Sequence, residues 1–545
     1  MMNRLTYVMA AALSAILVAM EAPAYAGDDS RQDGYVTGSF ETNTNLYRED
    51  VKTSATVPDG LFGSNTYLKL DYYNDKFSAG VQMEAYEPVL VGYPSELSGA
   101  GLTNYYINWK DEDFAVTAGT FYEQFGSGLL FRTWEDRALG LNNALMGARL
   151  TYRYGDFLTA KVLWGMPRFG MKPSQTNVKG ADISFNLSNL LDWKSSYLSL
   201  EASVLDRYEA LDNDQIVDGC KPNSTGWSAR MNMETEGFFM RAEYVDAGQK
   251  YFYNTSYAGD GQMYHRKNGN AQLLETGYNG RGLGLNLSLR RLEWMDSKVV
   301  ADASSPVNML NYVPAMCTQY TYMLTTLHPY GARTGEISSR FTNSGEVGGQ
   351  LDVFYNFRRG TRLGGKRGMK VHANFSTYYT IAQEGTFKAG NMLFKDLSVD
   401  VEKQWNRKFK STVLWSMQEY SPSYGANKTT WLSNIFVADL LYKFTDTFST
   451  RMELQYLVTF EDKKDWMAAL LEVSFAPHWS IYASDMYNHG MTGIHYYNGG
   501  FSYSKSRTRA ALSYGRYRSG YICSGGVCRQ IPAYTGANLS VTMSF

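Results

Sequence analysis

The sequence predicts an all-β fold, an antiparallel transmembrane β-barrel of about 24 strands, within a range of about 20 to 26. Three observations predict it. Apolar and polar residues alternate at period two along the whole chain, short turns and long loops alternate as connections, and charge is scarce. Of 545 residues, 19% are charged and 15% aromatic, with 42 Tyr and 50 Gly. Roughly 25% of a soluble domain is charged, so this surface is not made for water on every side. The formal net charge of −1 removes the electrostatic case for nucleic acid as a partner. A chain of this length usually splits into several domains, yet no Pro/Ser-rich linker, charge block or low-complexity tract divides it.

At the N-terminus, Arg4 precedes a nearly all-apolar run from Leu5 to Met20, and Ala24-Tyr25-Ala26 is a small-x-small cleavage site. These features predict a secretory signal peptide over residues 1–26, leaving 27–545 as the mature chain. Past that point no apolar run approaches the roughly 18 residues that a membrane helix needs. The chain is expected to be exported and not helically anchored.

The strands come next. In Leu283-Gly-Leu285-Asn-Leu287-Ser-Leu289-Arg290 every odd residue is apolar and every even one small or polar. Met452-Glu453-Leu454-Gln455-Tyr456 repeats the pattern. Successive strand side chains point to opposite faces, so each segment has one oily and one wet surface. A soluble sandwich would show this too, and the connections separate the two. Turn formers at Asn74-Asp75, Gly155-Asp156, Asn279-Gly280 and Asn406-Arg407-Lys408 accept positive φ or cap their own backbone. Between them lie longer stretches at 45–65, 87–101, 122–147, 206–225, 247–269, 295–343 and 517–533. A sandwich has no reason to sort loops by parity. A membrane barrel has short periplasmic turns and long extracellular loops.

Counting on that rule runs from Gly34–Thr44 to Tyr534–Phe545, with the region 180–205 the least defined. In the last strand Leu539, Val541, Met543 and Phe545 alternate, and the chain ends on an aromatic. This pattern resembles the C-terminal assembly signal of outer-membrane barrels. The resemblance implies the outer membrane of a Gram-negative bacterium, with membrane lipid and the barrel-insertion machinery as partners.

Four cysteines, Cys220, Cys317, Cys523 and Cys528, fall in expected long outer loops. An exported chain with an even count reads as disulfide-bearing. Cys523–Cys528 is the expected local bridge, since two Gly allow a tight loop, and Cys220–Cys317 is the pairing that remains. Catalytic chemistry is scarcely represented. Six His are scattered without metal-ligand spacing, and His372 alone lies inside a strand. Gly360-Thr-Arg-Leu-Gly-Gly365-Lys366 matches most of a phosphate loop, but Arg367 stands where Ser or Thr should hold magnesium. No enzyme, cofactor or metal site is expected. On the wet faces Arg230, Glu243, Arg290, Asp352, Asp400 and Arg451 mix both signs, which points to ion pairs across the lumen and not to a selectivity ring.

One loop stands apart. Residues 122–147 carry Leu129, Leu130, Phe131 and Trp134, too apolar for a solvated loop. A barrel this wide needs something in its lumen, because sixteen to eighteen strands already leave an aqueous channel. This segment is expected to fold inward, with Gly126 and Gly128 giving the bend, the other course open to it being across the top of the barrel as a docking surface for another protein. Phe131, Arg132, Trp134, Glu135, Asp136 and Arg137 form the candidate constriction, its charges meeting those of the wall. The run Phe121-Tyr-Glu-Gln-Phe-Gly-Ser-Gly-Leu129, followed by Arg132 and the acidic pair Glu135-Asp136, resembles an uncharacterised outer-membrane barrel family of the Bacteroidota. That resemblance implies compartment and fold and assigns no functional residue. Two functions stay open: a porin-like passage for small polar solutes restricted by 122–147, and a non-conducting scaffold within an envelope complex with other proteins.

Overall fold

A computed structural model of the chain describes residues 34–210, 222–253, 264–303, 305, 307–337, 342–524 and 527–545. The predicted signal peptide lies outside these described residues. The outward-facing side chains of the strands are mostly apolar, and their alternates face a common interior. The consequence is a closed wall of 24 antiparallel strands. The two-residue bridge Lys172–Pro173 adds to the sheet without joining the wall.

The first six strands are β1 (Tyr35–Arg48), β2 (Phe62–Asn74), β3 (Phe77–Tyr86), β4 (Gly99–Lys110), β5 (Phe114–Phe121) and β6 (Leu145–Tyr154). Next are β7 (Leu158–Phe169), β8 (Asn177–Asn186), β9 (Ser196–Tyr208), β10 (Asn223–Thr235), β11 (Phe238–Tyr253) and β12 (Tyr264–Gly280). They continue with β13 (Leu283–Glu293), β14 (Gly345–Phe357), β15 (Met369–Ile381), β16 (Ala389–Gln404), β17 (Phe409–Tyr420) and β18 (Trp431–Lys443). The last are β19 (Phe448–Thr459), β20 (Trp466–Phe475), β21 (Trp479–Asn488), β22 (Ile494–Lys505), β23 (Thr508–Tyr517) and β24 (Tyr534–Ser544). Each pairs with its neighbours in sequence, and β1 pairs with β24 from Ser39↔Ser544 to Arg48↔Thr535. Closure removes the free edges that an open sheet would expose.

The outward face is a continuous apolar band. Tyr105, Ile107 and Trp109 on β4, Leu287 and Leu289 on β13, and Leu454 and Tyr456 on β19 are all exposed there. Among the final residues, Phe545 is exposed and its ring covers Gly38 of β1, so closely that a Cβ there would lie 2.3 Å from it. No described helix is long and apolar enough to cross a membrane.

Turn chemistry works as the sequence suggests, with local shifts. The β12–β13 hairpin turns at Arg281-Gly282, both at positive φ (52° and 88°), two residues after the expected Asn279-Gly280. The shift keeps Tyr278 opposite Leu285, both on the outward face. In the poorly defined 180–205 region, β8 and β9 are joined by one helical turn, Leu187–Leu190, whose Asn186 cap accepts the Asn189 N–H. Residues 360–366 lie in the β14–β15 turn and Met369 starts a strand, as expected. The strict alternation of loop lengths does not hold. At the long-loop end, 382–388, 460–465 and 489–493 are brief, because a hairpin fixes where a connection begins and ends and leaves its length free.

Candidate functional site: the plugged lumen

The loop 122–144 enters the barrel. Gly126 and Gly128 adopt positive φ (54° and 93°), and a Cβ on Gly126 would sit 2.3 Å from the Arg230 side chain. The bend therefore needs glycine, and it brings the Ser127 N–H to Glu243 of β11 at 3.1 Å. Lower down, Glu123 accepts from Arg149 of β6 and Lys161 of β7, at 3.0 and 3.1 Å. Phe125, Leu129, Leu130 and Phe131 are buried against inward-facing Leu163, Val178, Leu205 and Val245.

The six residues singled out in this segment split by role. Phe131 is fully buried, and Arg132 stacks on Tyr312 and Trp134. Arg137 pairs with Glu41 of β1 at 2.7 Å, and Glu135 accepts from Gln82 of β3 at 3.0 Å. Asp136 caps its own loop through the Leu139 N–H. Only Glu135 and Arg137 therefore meet the wall through polar groups.

A second segment enters as well, and the sequence reading missed it. By sequence, 295–343 is expected as one of the long polar outer connections. Its described residues instead cross the lumen and share one apolar core with 122–144: Met295, Val299, Leu310, Val313 and Met316 pack with Phe125, Leu129 and Phe131. Backbone bonds join the two segments, from Arg132 N–H to Leu310 O and from Tyr312 N–H to Gly128 O, each 2.9 Å. Asn311 and Asn143 bond across as well, to Leu129 O at 3.1 Å and Met309 O at 2.6 Å. Farther along, Leu324 packs on the opposite wall against Leu414, Ile435, Val437 and Leu457. A signal was present in the sequence: no Asp, Glu, Lys or Arg occurs between Asp302 and Arg333. A loop held in water does not lack charge over such a length.

Polar anchors fix this second segment. Arg290 and Glu346, both fully buried, pair at 2.6 Å, and each also bonds Tyr330, at 2.9 and 2.5 Å. His372, noted as the strand-interior histidine, lies between Asp400 (2.7 Å) and Asp352 (3.0 Å). Each ring nitrogen thus has one carboxylate within hydrogen-bond distance. Tyr320 donates to Asp400 at 2.7 Å, fastening the segment to that clamp. The wall charges do form ion pairs, but with the plug or with nearby strands of the wall, as in Arg230 of β10 with Glu201 of β9 and Asp182 of β8, and Arg168 of β7 with Glu84 of β3. Among the described residues, no group of His, Cys, Asp and Glu is placed to hold a metal ion.

His328, in the same segment, packs on the Tyr420 ring near Arg518, Lys463 and Asp462. Burial, with help from the two cations, pushes its pKa down to about 3, so the contact with Asp462 at 3.5 Å is not an ion pair. A neutral docked histidine opposes protonation that the undocked one accepts near its ordinary pKa of 6.5. Docking strength is full above pH 6.5 and falls as the pH drops toward 3. Acidification from pH 7 to 4 is expected to raise opening events in planar bilayers, and His328→Gln to abolish that dependence.

The cysteines divide. Cys523 and Cys528 are bridged in the hairpin Gly520–Ser524/Val527–Ile531, which lies over the plug. There Arg529 donates to Gly92 O and Ala138 O. The expected Cys220–Cys317 bridge falls on Cys220, which lies outside the described residues. Cys317 is a free thiol packed against the plug core. Burial pushes the Cys317 thiol well above its ordinary range. Thiolate is the reactive form, so Cys317 is expected to resist maleimide in the folded protein and to label on unfolding, as read by mass shift.

The sequence matches the family of unknown function DUF6029 over residues 2–545. The chain belongs to that family. No curated protein matches it. Among solved structures, the siderophore receptor PirA from Pseudomonas aeruginosa is similar at 10% identity and a TM-score of 0.42, covering 95% of this chain and 81% of that one. The outer membrane transporter YddB from Escherichia coli is similar at 9% identity and a TM-score of 0.38, with 94% and 80% covered. The translocation pore of the P pilus usher PapC is similar at 8% identity and a TM-score of 0.34, with 94% and 99% covered.

Proposed function

We propose that this protein is a self-plugged barrel of the outer membrane that forms the embedded part of an envelope complex and does not serve as an open pore for solutes. One observation carries the reading: the apolar core shared by 122–144, the described residues of 294–344 and inward side chains of β7 to β9 and β11 to β13. A porin's constriction leaves water on one side of it, whereas here Phe125, Leu129, Leu310 and Leu292 meet with essentially no exposure. Displacing such a core to pass each solute would cost far more than the few kcal/mol available from a weakly bound polar solute. The uncharged stretch between Asp302 and Arg333 supports the same reading, since its residues are spent on packing and not on lining a wet path. The C-terminal pattern Leu539, Val541, Met543 and Phe545 supports delivery by the barrel-insertion machinery, and the predicted signal peptide supports export. The test is conductance. Purified wild-type protein in planar bilayers is expected to give no steady current at neutral pH, and a stable open level of a wide pore would return the porin-like reading.

A further inference from the structure

The wall has one weak seam. From Lys110↔Ala115 to Tyr106↔Gly119, β4 and β5 pair over only five residues, and the ladder then stops. Five residues at a rise of about 3.4 Å span about 17 Å along a tilted strand, against an apolar band about 25 Å tall. The band continues above the break: Leu102 of β4 and Met83 of β3 face outward there, each about half exposed. Above Tyr106, β4 is Gly99-Ala-Gly-Leu-Thr-Asn-Tyr105, and a Cβ on Gly99 or Gly101 would meet nothing within 4 Å.

Side chains replace the missing ladder. The Tyr105 N–H donates to Thr120 Oγ1 at 3.2 Å, and Asn104 Nδ2 donates to the Tyr122 hydroxyl at 3.2 Å. That hydroxyl in turn donates to Asn142 Oδ1 at 3.2 Å. Arg168 of β7 reaches past the ends of β5 and β6 to Glu84 of β3, with bonds of 2.8 and 2.6 Å. The relay fixes both amide orientations and leaves two buried atoms without partners, the acceptor Asn104 Oδ1 and the donor Asn142 Nδ2. An unpaired buried polar atom is costly, and this pair is complementary to a group that both donates and accepts. Strand edges inside hydrocarbon are likewise unfavourable unless something covers them.

We propose that the β4–β5 seam is a lateral opening through which an acyl chain of an amphiphile in the leaflet on the long-loop side enters the wall, its uncharged hydroxyl or amide head bonding to Asn104 and Asn142. The occupant is lipid because the break lies within the apolar band and is flanked outward by Leu102, Met83 and Tyr105. The inference does not rest on the closed lumen, and a conducting barrel would leave it standing.

The test places photoreactive benzoylphenylalanine at Phe121, the buried last residue of β5, in full-length protein reconstituted in lipid vesicles. A residue behind an intact wall never touches acyl chains, so a lipid adduct at 121 is expected, with none at the inward control Phe125. Cysteines at the next rung, Tyr105→Cys with Thr120→Cys, lock the seam on oxidation and are expected to reduce the adduct to background. Protein with only its own cysteines, treated alike, controls for the Cys523–Cys528 bridge, and heat-modifiable electrophoretic mobility reports folding of every variant. Vesicles of a hydroxyl- and amide-headed glycolipid are expected to give more adduct than phosphatidylcholine, a preference lost in Asn104→Ala/Asn142→Ala. Absence of the adduct, or its survival in the locked seam, overturns the opening, and equal yields from the two lipids overturn the assignment of the head.

Discussion

Replacing 122–144 and 294–344 together by short turns is expected to convert a silent barrel into a wide pore with large, steady conductance. The geometry permits the excision. Phe121 is paired directly with Leu145, and Glu293 directly with Gly345, so each segment is an excursion from a hairpin that a tight turn can close. Wall register is untouched, and a 24-stranded ring without its filling exceeds the sixteen to eighteen strands that already hold an aqueous channel. Single excisions separate the roles. Removing 294–344 strips both apolar clusters of their inner partner, so it is expected to open the lumen the more widely. Removing 122–144 alone leaves Leu324 seated on Leu414 and Ile435, and a partial conductance should follow. Planar-bilayer recordings decide this, with heat-modifiable mobility as the check on folding. A double excision that folds and stays silent would refute the plug.

Loss of one buried charge should be nearly as damaging. Arg290→Met leaves Glu346, with no exposed side-chain surface, facing Tyr330 and the Arg333 N–H without its cation. Breaking a buried pair from one side typically costs about 3–5 kcal/mol. The variant is expected to unfold at lower denaturant and to show unstable current, since Arg290 also holds Pro314 O of the plug. Arg290→Met with Glu346→Leu should recover most of the loss in denaturant midpoint, because two apolar groups need no counter-charge. If both variants matched the wild type, the pair would not be anchoring the segment.

Much of the wall was legible because its physics is local. Strand alternation is written residue by residue, as in Leu283 to Leu289, and a hairpin turn needs only the few residues that bend. Even the error at Asn279-Gly280 was local, corrected by the need to keep Tyr278 beside Leu285. That 122–144 takes no solvated course was also readable, because Leu129, Leu130 and Phe131 are untenable in water. Inward apolar patches on the wall broke the alternation, as at Ile435-Phe436-Val437, where both faces are apolar because Leu324 covers the inner one. One sequence cannot name that cover.

By itself the sequence determined a barrel wall, its antiparallel order and the exclusion of a solvated course for 122–144, since each follows from periods, turns and transfer energies of neighbouring residues. Only the tertiary structure decided what fills the lumen and where the wall is weak. Tyr320 finds Asp400 and Arg290 finds Glu346 because closing 24 strands brings together residues many tens of positions apart. The β4–β5 seam depends on closure too: β4 is long and β5 short, and which of them leaves an edge uncovered is settled only when the ring shuts.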